Sequence, residues 1–91
     1  MLSKTMTDTI SNILHREGCT ESYLFGSHVT GTTDEFSDID IGIKGLLPQK
    51  FFAVHAMLED ATGKSVDLID FDEKPAFFAL LQQIGEIKKI G

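Results

Sequence analysis

The 91-residue chain has no tryptophan, a single cysteine, a single tyrosine and two prolines, and eight Lys and Arg stand against 14 Asp and Glu. A lone Cys19 excludes an internal disulfide, and no Cys or His spacing matches a zinc site. The basic residues are few and scattered, and the formal net charge is -6. That argues against direct nucleic-acid binding, because phosphate backbones reward clustered Lys and Arg. The charge instead favours a basic protein partner or a small cationic acceptor. No apolar run approaches the roughly 20 residues of a membrane span, and Met1 to Thr7 carries no apolar signal core. These absences point to a cytoplasmic protein with no membrane contact. At 42% hydrophobic and 24% charged residues the composition is that of a folded globular chain. Its length suits one domain, residues 1–91, with one modest core.

What is present is concentrated between Leu24 and Ile43. The segment Leu24-Phe25-Gly26-Ser27-His28 reads as the end of a strand followed by a tight Gly-Ser turn into a helical turn. A polar loop, Thr30 to Ser37, leads to a second strand, Asp38-Ile39-Asp40-Ile41-Gly42-Ile43. In an extended chain Asp38 and Asp40 project to one side, roughly 6 to 7 Å apart, and Ile39, Ile41 and Ile43 to the other. One face is apolar enough to pack on helices. The other holds two carboxylates that repel unless a cation sits between them, and hard oxygen ligands at this spacing suit Mg2+ or Mn2+ rather than zinc. Gly26 and Ser27 supply a backbone free of side-chain obstruction, a hydroxyl and N–H groups at a helix start, which can receive phosphate oxygens.

The rest of the chain reads as scaffold. Met6, Ile10, Ile13 and Leu14 give a helix over Thr5 to Glu17, with Thr5 and Asp8 as a capping box and Gly18 as its stop. Glu21 to Phe25 is the first strand. Pro48 opens a second helix whose stripe is Leu47, Phe51, Val54, Leu58 and Ala61, ending at Gly63. In the third strand, Ser65 to Asp70, Val66 and Leu68 face the core and Asp67 the other side, the same parity as the second strand. Asp72 and Pro75 begin a last helix with Phe77, Leu80, Leu81, Ile84 and Ile87 as its stripe, and Gly85 costs it about 1 kcal/mol relative to Ala. Residues 86–91 are either frayed helix or an extended arm. The order αβαβαβα predicts an α/β fold, a small mixed sheet with helices packed on one face and the other face open.

Gly26-Ser27, ten residues, then Asp38-x-Asp40 in an apolar strand resembles the signature of the DNA polymerase beta-type nucleotidyltransferases. The short chain is most similar to the minimal nucleotidyltransferase (MNT) group, many of which are antitoxins paired with HEPN-domain toxins. The family's third carboxylate lies in a later apolar strand, and Val66-Asp67-Leu68-Ile69-Asp70-Phe71 matches that position. Asp67 has the right parity, and Asp70 competes for the role. The resemblance implies transfer of AMP from ATP to an acceptor hydroxyl, with a tyrosine of a HEPN-type toxin as the candidate acceptor. In that reading Asp38, Asp40 and Asp67 are catalytic and hold two Mg2+ ions, or Mn2+ in their place. Asp67 can also take the hydroxyl proton, while Gly26, Ser27 and His28 bind the phosphates.

His28 stands where the family usually has arginine, and Thr30 where a second basic residue is common; an imidazole carries only partial charge near neutrality. Lys44 shares the parity of Asp38 and Asp40 and could supply charge, although an exposed lysine is its ordinary reading. The chain has no room for an acceptor-binding domain, so a homodimer or a partner protein must complete the pocket. Two other readings share these residues. One is a small-molecule nucleotidyltransferase of the aminoglycoside-modifying type, the other an antitoxin that acts by binding alone. A calcium loop is excluded because Gly42 falls where a ligand is needed, and a P-loop because no GK[ST] follows the glycine.

Overall fold

The computed structural model describes residues 2–26 and 38–91. Helix α1 (Lys4–Arg16) begins one residue before the expected start, because Ser3 and not Thr5 is its cap: the Ser3 Oγ accepts the Met6 N–H at 3.1 Å. Ile10, Ile13 and Leu14 are its buried stripe. At its end Gly18 turns left-handed at φ 107°, and the Gly18 and Cys19 N–H groups close on the carbonyls of His15 and Leu14.

Strand β1 (Glu21–Phe25) runs antiparallel to β2 (Ile39–Lys44), from Glu21 opposite Lys44 to Phe25 opposite Asp40. Pro48 opens a 3-10 turn (Pro48–Lys50) that runs straight into α2 (Phe51–Thr62), ended by Gly63 at φ 68°. Its core face is Val54, Leu58 and Thr62; Leu47 is 55% exposed and Ala61 is exposed, so the buried stripe is narrower than the spacing predicts. Helix α2 is the crossover that lets β3 (Val66–Asp70) lie parallel to β2, with Asp40 beside Asp67 and Ile41 beside Leu68.

Helices α1 and α2 cover one face of the sheet. There Ile39, Ile41 and Ile43, each 0% exposed, meet Ile10, Leu14, Val54, Leu58, Val66 and Leu68. This is the small mixed sheet expected from the sequence, and the structure takes it two steps further.

Helix α3 (Pro75–Ile84) lies on the opposite face, where Leu81 and Phe78 pack on Tyr23, Phe25 and Phe71. It therefore closes part of the face expected to be open. Only Leu81 of its apolar stripe is buried, while Phe77, Leu80 and Ile84 remain exposed. Gly85, at φ 73°, then reverses the chain, and Glu86 N–H closes on the Leu81 carbonyl at 3.1 Å. Of the two readings of the tail, the extended arm holds. Ile87–Lys89 forms β4, antiparallel to β1, completing the order β3-β2-β1-β4. No described helix is long and apolar enough to cross a membrane.

Candidate functional site

The sheet's carboxylate face is dictated by β2. Its isoleucines are driven into the core, so alternation turns Asp40 to the other side, and Asp38 immediately precedes the strand. Asp40 is the central residue: Phe25 lies opposite it on β1 and Asp67 beside it on β3. Neighbouring strands run about 4.8 Å apart, so Asp40 and Asp67 come within that distance backbone to backbone and share a face. Asp38 and Asp67 are exposed and Asp40 is half-buried. Two segments separated by a whole helix thus bring Asp40 and Asp67 side by side, with Asp38 just ahead of β2.

Gly26 follows Phe25 directly and adopts φ 72°; a Cβ there would lie 2.5 Å from Asp40 Oδ2. The turn's backbone and the Asp40 carboxylate are therefore packed against each other, a closeness only glycine permits. Gly26 N–H donates to the Glu86 carbonyl at 3.2 Å, so the segment leading into β4 anchors the turn. Nothing local in the sequence signals this role of Glu86, because it arises from strand pairing at long range. Ser27 and His28, the other expected phosphate-binding residues, and Thr30 lie outside the described residues.

The same face has an aromatic floor that the spacing of the aromatics did not reveal. Phe71 packs directly on Gly42, where any Cβ would clash with its ring, and touches Tyr23, Phe25, Phe77 and Phe78 with ring centroids 4.9 to 6.2 Å apart. Gly42 is therefore a packing residue, needed so that β2 can pass beneath a ring.

Asp70 is separated from this face, as its parity predicts. Its carboxylate accepts the Asp72 N–H at 2.9 Å, and its charge reaches Cys19 on the helical side. Burial chiefly, then the charges of Asp70 and Glu17, push the Cys19 thiol up to about 11. Lys44 lies at the far end of β2, about 20 Å from Asp38 at strand rise. There its ammonium sits 3.8 Å over the Phe78 ring and 3.9 Å from Glu21. His15 is exposed on α1, and His55 bonds the backbone of β3.

Among the described residues two cavities lie near β3. One of about 280 Å³ opens among Pro48, Phe51, Phe52 and Leu68, on the helical side. The other, about 560 Å³, lies between Ile69 and the start of α3, with Lys74 on its wall. Ile69, Glu73 and Lys74 line both cavities. Neither includes Asp38, Asp40 or Asp67 in its lining.

Among the described residues no three His, Cys, Asp or Glu side chains form a ready-made metal cage. The donor set still fits Mg2+, which is held by one or two carboxylates and completes its shell with waters and substrate phosphates. An all-oxygen aspartate set with a side-chain-free turn packed on Asp40 has the donor chemistry that such a half-site would need.

A nucleotidyltransferase arrangement is what this sheet and this face define. The family model "Polymerase beta, Nucleotidyltransferase" matches residues 8–88, so the chain belongs to the polymerase beta-type nucleotidyltransferase family. A search of the curated proteins finds no sequence match. Among solved structures the fold is similar to a toxin-antitoxin complex with AMP-PNP, at TM-score 0.79 and 24% identity over 93% of this chain and 72% of that one. It is also similar to the toxin-antitoxin pair MntA-HepT, at 0.74 and 20% over 98% and 72%. A third is the Shewanella oneidensis complex of a tri-AMPylated HEPN toxin with its MNT antitoxin, at 0.69 and 24% over 99% and 72%.

Proposed function

We propose that this protein is an MNT-type antitoxin that transfers AMP from ATP to a hydroxyl, a tyrosine's being the candidate, on a HEPN-type toxin in the cytoplasm. The observation that carries the reading is the register of Asp40 with Asp67, with Gly26 packed on the Asp40 carboxylate, in a chain of this family. The AMP-PNP complex and the tri-AMPylated toxin among the similar folds support the donor and the acceptor class.

Asp38, Asp40 and Asp67 would hold Mg2+, which when bound supplies positive charge to the triphosphate and lowers the barrier to ionising the acceptor hydroxyl. The turn at Gly26 admits the outer phosphates because no side chain stands in their way. With the triphosphate so oriented, the acceptor oxygen forms its bond to the α-phosphorus as the bond to the bridging oxygen breaks and pyrophosphate leaves. Asp67, exposed at the edge of the sheet, takes the hydroxyl proton. Attachment of AMP adds negative charge and bulk to the toxin.

The test is intact-mass analysis of a HEPN-type toxin incubated with the protein, ATP and Mg2+, beside Asp38→Ala and Asp40→Ala. We expect a gain of one or more AMP units, falling about 10²-fold or more in rate in either variant. An unmodified toxin that is nonetheless bound and neutralised by both variants would mean that contact alone does the work. Modification of an aminoglycoside without any protein acceptor would favour the small-molecule reading.

A further inference from the structure

Asp67 stands on an edge strand, since β3 is the first in the order β3-β2-β1-β4. An edge residue is held by main-chain bonds from one side only, yet a carboxylate that must meet Asp40 needs a defined position. The hydrogen-bond phase of β3 shows how that position is secured. Ile39 N–H donates to the Ser65 carbonyl at 3.0 Å and Phe71 N–H to the Ile43 carbonyl at 2.9 Å. In a parallel ladder this alternation turns the main-chain groups of Asp67 and Ile69 toward β2 and those of Val66, Leu68 and Asp70 outward.

Both outward groups of Val66 are taken by α2. Its N–H donates to Glu59 Oε2 at 2.9 Å, and its carbonyl lies 2.7 Å from His55 Nε2. A carbonyl can only accept, so Nε2 carries the proton. His55 and Glu59 are four residues apart on one helical face, with Nε2 3.7 Å from Glu59 Oε2, and together they present one donor and one acceptor as a neighbouring strand would. The grip is local. Among the described residues no side chain bonds the outward N–H or carbonyl of Leu68, so α2 does not cap the edge as a whole but seizes the residue immediately before Asp67. The Val66 carbonyl belongs to the peptide plane that joins Val66 to Asp67. Fixing that plane from the helix side, with β2 on the other, fixes the direction of the Asp67 Cα–Cβ bond.

We infer that His55 and Glu59 are positioning residues for nucleotidyl transfer, a two-pronged clamp that holds Asp67 at its register with Asp40. This rests on the reading of Asp67 as the third carboxylate. The clamp is tested in the full chain with His55→Leu and Glu59→Leu, and with His55→Gln and Glu59→Gln, which keep an amide donor and an acceptor respectively. Two quantities are read. One is hydrogen exchange of the Asp67 amide by NMR without metal or nucleotide, and the other is the Mg2+ concentration giving half-maximal AMP transfer to a HEPN-type toxin.

In the Leu variants we expect Asp67 exchange to accelerate about tenfold or more while the amides of residues 41–43 are unchanged. The Mg2+ requirement should rise, or the rate fall, by about 10-fold or more, as for other residues that orient a metal ligand. The Gln variants should stay near the parent. Unchanged Asp67 exchange and Mg2+ dependence in both Leu variants, with Asp67→Asn inactive, would overturn the clamp alone. An Asp67→Asn protein with parent rate and Mg2+ dependence would overturn the clamp together with the reading it rests on.

Discussion

Gly26 and Asp40 illustrate how little room the site leaves at single residues. An alanine at Gly26 brings two separable penalties. The left-handed φ of 72° costs a side chain about 1 to 2 kcal/mol, and the added Cβ strikes the Asp40 carboxylate. Gly18 is the natural control, with φ 107° and nothing within 4 Å of the place a Cβ would take, so it carries the first penalty without the second. We expect Gly26→Ala to lower AMP transfer by about 10²-fold, the scale of an ångström's misplacement at a reacting centre. Gly18→Ala should lose stability with transfer intact. Denaturant midpoints and transfer rates measured together separate the two, and equal rates in both variants would contradict a role for the Gly26–Asp40 contact. The turn at Gly26 was legible in the sequence because glycine favours turns, and the outward face of Asp40 because alternation along one strand is a local rule. The contact between them was not, since it depends on the register of β1 against β2.

At the scale of elements, the sheet's second face depends on β2 passing under Phe71. Gly42→Ala would drive a methyl into that ring and is expected to cost about 1 to 3 kcal/mol, typical of overpacking. Thermal unfolding should show the drop, and adding Phe71→Leu should recover part of it, because residues in contact are not additive. Full additivity would mean that the ring and the glycine do not share the space. Ser3→Ala should remove about 1 kcal/mol through the lost α1 cap, measured the same way. Periodicity found α1, α2 and α3 because three- and four-residue steps mark helices wherever one side is buried. It misjudged which apolar residues are covered: Leu47, ahead of α2, and Phe77, Leu80 and Ile84 on α3 carry the right spacing yet stay exposed. A stripe records that a face is apolar, and the neighbours available to cover it are a tertiary matter.

For the molecule as a whole, two buried acids tie stability to alkaline pH. Cys19 is pushed from its ordinary 9.0 up to about 11, chiefly by burial. Tyr23 is pushed from 10.0 up to about 12, first by burial and then by its hydroxyl's hydrogen bond to Glu21 and that carboxylate's charge. Both groups keep in the folded state a proton that the unfolded chain releases sooner. Their contribution is therefore whole below the unfolded values of 9.0 and 10.0 and is lost as pH rises through about 11 and then about 12. Denaturant midpoints should be insensitive to these groups up to about pH 9 and fall above it. Tyr23 is the sole tyrosine, so tyrosinate absorbance reports it directly. A tyrosine that ionised near its ordinary 10.0 in the intact fold would contradict its burial.

By itself the sequence determined which face of each strand is apolar and that Asp40 and Asp67 project from the face opposite the isoleucines and Asp70 from theirs. Those follow from a two-residue period that needs no partner. Only the tertiary structure decided that Asp40 and Asp67 are neighbours, since their pairing is set by the length and packing of α2. The same holds for Glu86 at Gly26, for the His55–Glu59 grip on Val66, and for α3 on the second face. Each joins segments far apart in the chain, and contacts of that range are selected by the energy of the whole packed core rather than by any local pattern.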